Sequence, residues 1–278
     1  MASKVQFGDL TTATFGGASQ LDYIKGARYS LKGQTDEAAA LTTQGARAEV
    51  VKRSGGLSFD LLSNQSGTQR ISNLDITSVS IDGTEYETMA KGGSFRLTVP
   101  NKDASAAQDL WAWPQPLPNS RDFSASVDLM IVAGSATANA LRDFGVQLAS
   151  ADENDSSMVL TLVIDTTTIT LPMTVENLEL GIERDGLQMI KLDLKGRAPI
   201  SGTYPTSPAG TTTLLEKAIN AAATALAFTF TPHDDVGFGQ IVTGNMVIES
   251  VDFSFNDGQI IVMNYQYAVQ GQPTATNT

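Results

Sequence analysis

Few residues of this chain have types that do chemistry, and they are scattered. His233 is the only histidine, so a Ser-His-Asp relay or a multi-histidine metal site would have to be built around it alone. It stands in Pro232-His233-Asp234-Asp235 with Gly237 and Gly239 just beyond, a composition that collects in polar turns. Asp152, Glu153 and Asp155 bring three carboxylates together, but not at the spacing of a calcium-binding EF-hand loop, and they read as a solvated loop. The chain contains neither a Gly-x-Ser-x-Gly elbow nor a Gly-x-x-x-x-Gly-Lys-Ser/Thr phosphate loop. No spacing singles out a carboxylate pair for glycoside hydrolysis. The expectation is a protein that is not an enzyme, with no cofactor and no metal.

What must be positioned is therefore a surface, and bulk properties limit its partners. The 278 residues carry 30 acidic and 18 basic side chains, a net charge of −12, which argues against wrapping a nucleic acid through phosphate neutralisation. With no cysteine, disulfides and thiolate metal sites are unavailable. The opening MASKVQFGDLTTATF lacks a basic region followed by an apolar stretch, and no run of about 18 apolar residues occurs. A chain without a classical export signal or a membrane span is expected.

The elements that organise this surface are strands. ENLELGIERDGLQMIKLDLKGRAP begins at 176 and ESVDFSFNDGQIIVMNYQYAVQGQP at 249. Leu178, Leu180 and Ile182 alternate with Glu179, Gly181 and Glu183; Val251, Phe253 and Phe255 alternate with Asp252, Ser254 and Asn256. That period of two gives one apolar and one polar face. Asp185-Gly186 and Asp257-Gly258 supply the turns. The same hairpin is thus written twice.

Other strands are read at 27–34, 55–64, 75–87, 121–132, 157–165 and 226–232, with 34–52 left irregular. Tyr29-Ser30-Leu31-Lys32-Gly33 matches Val79-Ser80-Ile81-Asp82-Gly83, and Leu57-Ser58-Phe59-Asp60-Leu61-Leu62 matches Ala125-Ser126-Val127-Asp128-Leu129-Met130. Two short helices are predicted, over 137–150 with Leu141, Phe144, Gly145 and Leu148 on one stripe, and over 211–225 with Leu215, Ala218, Ile219 and Ala222. Thr213 and Glu216 form a capping box for the second. A long insertion at 84–120 is expected to contain an arm. Its Trp111, Trp113 and Pro114 make a stiff aromatic tip, suited either to packing on its own domain or to a neighbouring subunit.

An early part made of the matched strands occurs twice, at 25–64 and 75–132, and a late part of helix, two strands and hairpin occurs twice, at 137–198 and 211–273, so the order along the chain is early, early, late, late. A complete unit needs one early and one late part, so 70–200 reads as a domain inserted into a second, discontinuous domain formed by 1–69 and 205–278. The segment 201–211 reads as the return crossing.

A strand pair, a helix and a closing hairpin of this form resemble the major tail tube proteins of long-tailed, siphovirus-like bacteriophages. The residues that carry the likeness are Glu249-Ser250-Val251-Asp252-Phe253-Ser254-Phe255, Asp257-Gly258, Tyr265-Gln266-Tyr267 and Gly271; the first copy departs from it at Leu192-Asp193-Leu194. The resemblance implies a mainly β chain with two short helices, folded as two tail-tube-type β-sandwich or β-barrel domains, each flanked by an α-helix and one nested in the other. It implies a structural virion protein of the tail, assembled in the bacterial host cytoplasm. Its copies would form homotrimeric, pseudo-hexameric rings that stack into a tube, with DNA as passing cargo and with tape measure, tail terminator and distal tail proteins as further partners. Glu179, Glu183, Asp193 and Asp252 become candidates for the lumen lining, and Trp111, Trp113 and Pro114 for an inter-ring arm. The alternative from the binding class is a carbohydrate-binding or adhesin-like double β-sandwich, either phage-borne or secreted.

Overall fold

The computed structural model describes residues 10–15, 18–19, 24–38, 47–62, 76–86, 90–103, 116–118, 121–131, 157–164, 167–182, 188–197, 201–203, 214, 218–219, 225–232, 240–256 and 261–277. Nearly all of them are strands. The first are β1 (Leu10–Phe15), β2 (Ala18–Ser19), β3 (Ile24–Ala38), β4 (Arg47–Leu62), β5 (Ile76–Ile81) and β6 (Thr84–Glu85). Then come β7 (Ala90–Thr98), β8 (Asn101–Asp103), β9 (Pro116–Pro118), β10 (Asp122–Met130) and β11 (Ser157–Ile164). The chain continues through β12 (Thr167–Ile182), β13 (Gln188–Gly196), β14 (Ser201–Thr203), β15 (Leu226–Pro232), β16 (Gln240–Asn256) and β17 (Val262–Asn277).

All described pairings are antiparallel. Period-two alternation decides which side chains go inward: along β10, Phe123, Ala125, Val127 and Leu129 are buried while Asp122 and Ser124 are exposed. The inward residues of all the long strands join one apolar core. In it Phe59 stacks between Tyr265 and Tyr267, with ring centroids 5.5 and 5.4 Å away, a geometry that adds to simple area burial. Tyr29 of β3 reaches Phe228 of β15 at 6.2 Å, so strands from distant parts of the pairing order meet through their side chains.

The two long hairpins dominate the topology. β16 pairs with β17 along its length, and on its other edge with β15 through Val242–Met246 and with β7 through Ser250–Asn256. β12 does nearly the same: β13 and β14 lie along one edge, and β11 lies on the other through Thr167–Thr174. Each strand carries a bulge in its middle, at Glu249 between Ile248 and Ser250 and at Glu176 between Val175 and Asn177, where a strand bends and twists more strongly. Gly271, at φ 70°, allows the extra residues of β17 to loop out opposite β16.

Corresponding strands then take corresponding places. β4 pairs with β17 as β10 pairs with β13, and β3 lies outside β4 as β7 lies outside β10. β1 lies on β15 as β5 lies on β11. The sequence match of Leu57–Leu62 with Ala125–Met130 falls on equivalent positions, since Asp60 faces Asn264 as Asp128 faces Lys191, and Tyr265 and Leu192 occupy the same position.

Four readings of the sequence need correction. The match of Tyr29–Gly33 with Val79–Gly83 pairs strands that are not counterparts: β3 lies on β4, and β5 lies on β11. The segment 84–120 is not one arm, because Ala90–Thr98 is β7, a strand inside the sheet; only beyond it does a hairpin form, β8 against β9, as the base of an arm. The stretch 34–52 is not irregular, for β3 and β4 pair out to Ala38 and Arg47. Ser201–Thr203, read as the start of a crossing, pairs with β12. The 137–150 helix and the arm tip with Trp111, Trp113 and Pro114 lie outside the described residues. Of the second predicted helix, Leu214, Ala218 and Ile219 are helical and buried. No helix among the described residues is long and apolar enough to cross a membrane.

Candidate functional site

Eight strands run side by side in the order β3, β4, β17, β16, β7, β10, β13, β12, the last contributing its second half. One face of this sheet is the core. Residues directly opposite in an antiparallel pair project to the same face, so the register defines the other face row by row. One row holds Gly26, Asp60, Asn264, Asp252, Arg96, Ser124 and Lys195; a neighbouring row holds Arg28, Ser58, Gln266, Ser250, Thr98 and Asp122. On the other side of the first row, Ser254, Ser94, Ser126, Asp193 and Asn177 line up, followed by Asp128, Lys191 and Glu179.

Three of the four carboxylates singled out in the sequence therefore share this face. Glu179 and Asp193 lie on adjacent strands and Asp252 lies on β16; Glu183 is outside the described residues. None stands in a purely acidic setting. Glu179 faces Lys191, Asp252 faces Arg96, and Asp193 accepts a hydrogen bond from Asn177 Nδ2 at 3.2 Å. Asn264 Nδ2 donates to Asp60 Oδ1 at 2.6 Å, and the Ser94 and Ser126 hydroxyls are 2.8 Å apart. Partial burial pushes the Asp252 carboxyl above its ordinary value, Arg96 opposing the rise and Asp60 adding to it. Asp128 is raised likewise by burial, with Lys191 lowering and Asp193 raising it. Acids and bases interleave with hydroxyls and amides, so the face is charged yet nearly balanced.

The sheet also has two ends. The outer edge of β3 and the edge of β12 beyond Thr174 have no strand partner among the described residues. Apolar side chains sit there in the open: Leu31 is 56% and Leu180 53% exposed. Unpaired edges of this kind are templates for another strand. The base of the β8–β9 arm lies beside the bulge of β16, where Asn101 Nδ2 donates to Ile248 O at 3.1 Å and Val99 N donates to Glu249 O at 2.8 Å.

No family model and no curated protein matches the chain. Among solved structures it is similar to a chain of the "virion of native gene transfer agent (GTA) particle", at 13% identity and a TM-score of 0.30, over 49% of this chain and 88% of that one. It is similar too to a chain of the "tail of empty GTA particle computed with helical refinement, C6 symmetry", with the same identity and TM-score, over 50% of this chain and 88% of that one.

Among the described residues no three His, Asp or Glu side chains gather as a metal site; His233 and the Asp152–Asp155 run are outside them. The sequence reading recovered β3 only in part, at 27–34, and missed β7. Lys25-Gly26-Ala27-Arg28-Tyr29-Ser30-Leu31 and Lys91-Gly92-Gly93-Ser94-Phe95-Arg96-Leu97 occupy equivalent places on β4 and β10. Their shared Lys-Gly, aromatic and Leu positions were the signal available.

Proposed function

We propose that the chain is a structural virion protein of a phage-like tail, whose copies join through their sheet edges into rings that stack as the tail tube. The observation that carries this reading is the eight-stranded sheet, apolar on one face and polar on the other, that ends on both sides in an edge with exposed leucines and, among the described residues, no strand partner. Two different edges at opposite ends make a head-to-tail contact, which either closes as a ring or runs on as a filament. A closed ring leaves no edge exposed.

Each chain contributes two equivalent four-stranded blocks to such a ring. The reading assigns 1–69 with 205–278 to one domain and about 70–200 to a domain inserted in it, supported by the corresponding strand places described above. Three copies then supply six blocks with pseudo-sixfold symmetry. The polar face lines the channel, with Glu179, Asp193 and Asp252 among its carboxylates; Glu183, expected there too, lies outside the described residues. DNA passes a wall on which acids and bases interleave, so no unbroken row of cations holds its phosphates. The β8–β9 arm, carrying Trp111, Trp113 and Pro114, is the element that reaches the neighbouring ring.

Electron microscopy of the purified chain tests the reading. Hollow tubes or rings of three copies are expected; six copies per ring would overturn the trimer. A persistent monomer that binds glycans would replace the tube with the carbohydrate-binding alternative.

A further inference from the structure

The joint between β7 and β16 brings together the outer strand of one four-stranded block and the long hairpin strand of the other, and it is closed within the chain. Its counterparts, β3 and the second half of β12, are the two edges without a strand partner among the described residues. We infer that a second copy of this chain pairs its β12 with β3 in the register of the internal β7–β16 joint: Leu178 opposite Leu31, Leu180 opposite Tyr29 and Ile182 opposite Ala27. This rests on the ring reading above and specifies its contact.

The register follows from equivalence. In the closed joint Val251 lies opposite Leu97, Phe253 opposite Phe95 and Phe255 opposite Gly93. Leu31, Tyr29 and Ala27 hold the places on β4 that Leu97, Phe95 and Gly93 hold on β10. Leu178, Leu180 and Ile182 hold the places on β13 that Val251, Phe253 and Phe255 hold on β17.

Three observations point to one occupant for these edges. Burial is the first: Leu97 is 0% and Phe253 3% exposed inside the closed joint, whereas their counterparts Leu31 and Leu180 are 56% and 53% exposed. The same positions are apolar in both, and they lack cover only where the partner strand is missing.

Volume is the second. At the closed joint the largest side chain faces none, since Phe255 lies over Gly93 so closely that a Cβ there would meet the ring and the Ser126 carbonyl. At the open edges the corresponding pair is Ile182 and Ala27, a smaller side chain against a methyl. The loss on one strand is matched by a gain on the other, as close packing requires.

Charge is the third. Asp252 faces Arg96 across the closed joint. In the open joint Glu179 lies opposite Ser30 and diagonal to Arg28 and Lys32 on the same face, within reach of cross-strand attraction. The acid comes from the hairpin strand and the base from the outer strand in both.

Because the chain has no cysteine, paired thiols report register cleanly. Arg28→Cys with Gly181→Cys places thiols opposite each other; Ser30→Cys with Gly181→Cys is offset by two. Directly opposite Cβ atoms are about 5 Å apart and diagonal ones about 7 Å, so mild oxidation is expected to give about tenfold more covalent oligomer from the first pair. Lys32→Cys with Asn177→Cys is a second opposite pair, should the first disturb folding, and ring formation under reducing conditions checks every variant. Preferential cross-linking of the offset pair overturns the register. Rings that form while no pair cross-links place the joint elsewhere and overturn the inference, leaving the ring reading intact. Failure of the cysteine-free parent to assemble at all overturns both.

Discussion

Arg96 on β7 and Asp252 on β16 face each other directly across the internal joint, and the carboxyl of Asp252 nonetheless titrates above its ordinary range, because burial outweighs the cation. A carboxyl raised in the folded chain holds its proton more tightly there than when unfolded. Its contribution to stability is full below the ordinary carboxylate range and is lost as pH rises through the raised value. Asp252→Asn is therefore expected to gain stability relative to the parent as pH rises out of the ordinary carboxylate range, read as a widening difference in urea midpoint. Arg96→Ala, which removes the opposing charge, is expected to cost about 0.5–1 kcal/mol at neutral pH, since Arg96 itself is exposed.

Gly93 lies under the Phe255 ring and against the Ser126 carbonyl. Backbone cannot move aside as a flexible side-chain end can, so Gly93→Ala is expected to destabilise by about 2–4 kcal/mol in chemical denaturation. Adding Phe255→Ile reproduces the Ala27 and Ile182 combination of the open edges and is expected to recover part of that loss; a double-mutant cycle measures it. A strictly additive pair would show that the ring and the new methyl do not interact.

Much of the fold was legible because alternation is a local signal. Leu226–Pro232 was read residue for residue, β11 and β10 to within a residue or two at each end, and Asp82 and Gly83, with φ 49° and 78°, make the turn that their types announce. The match of Leu57–Leu62 with Ala125–Met130 also survived, because those strands are buried on one face and so keep the same apolar positions. What failed was pairing. Tyr29–Gly33 and Val79–Gly83 look alike since both alternate and end in glycine, but strand partners are chosen by core packing between distant segments, which periodicity does not encode. β7 was missed for a related reason: Gly92 and Gly93 read as loop, and only the overlying Phe255 explains two glycines inside a sheet. For the polar face, the hairpin period placed Glu179 and Asp252 on the hydrophilic side, while Arg96, Lys191 and Asp60 entered only through cross-strand register. Four carboxylates were the expected lining; three of them share a face on which acids and bases oppose each other.

Leu180 and Leu31 contribute little to the isolated fold, being more than half exposed. Leu180→Asp is expected to leave the thermal midpoint of the unassembled chain within the small range of ordinary surface changes, about 0.5 kcal/mol, while abolishing rings and tubes. A carboxylate would be buried without a partner in the joint. Analytical ultracentrifugation with a thermal melt separates the two effects: loss of assembly with an unchanged melt supports an edge role, and intact assembly removes Leu180 from the interface.

Glu179, Asp193 and Asp252 share the polar face but differ in their surroundings, which sets the expected order of their effects on cargo. Removing the charge of Asp252 frees Arg96, whereas Lys191, opposite Glu179, still faces Asp128 on its other side; Asp193 instead receives an amide from Asn177 and raises Asp128 by repulsion. Asp252→Asn exposes a cation in every copy, and Glu179→Gln leaves Lys191 with one acid instead of two, so assembled tubes of either variant are expected to retain short duplex DNA at low salt where the parent does not, Asp252→Asn the more strongly, with retention lost as salt rises. Asp193→Asn exposes no cation and is expected to have the smaller effect. The readout is DNA co-sedimenting with preformed tubes across a salt series. Equal behaviour of the parent and all three variants would move the channel wall to the other surface of the ring, because carboxylates that face outward along the tube cannot gate what passes through it.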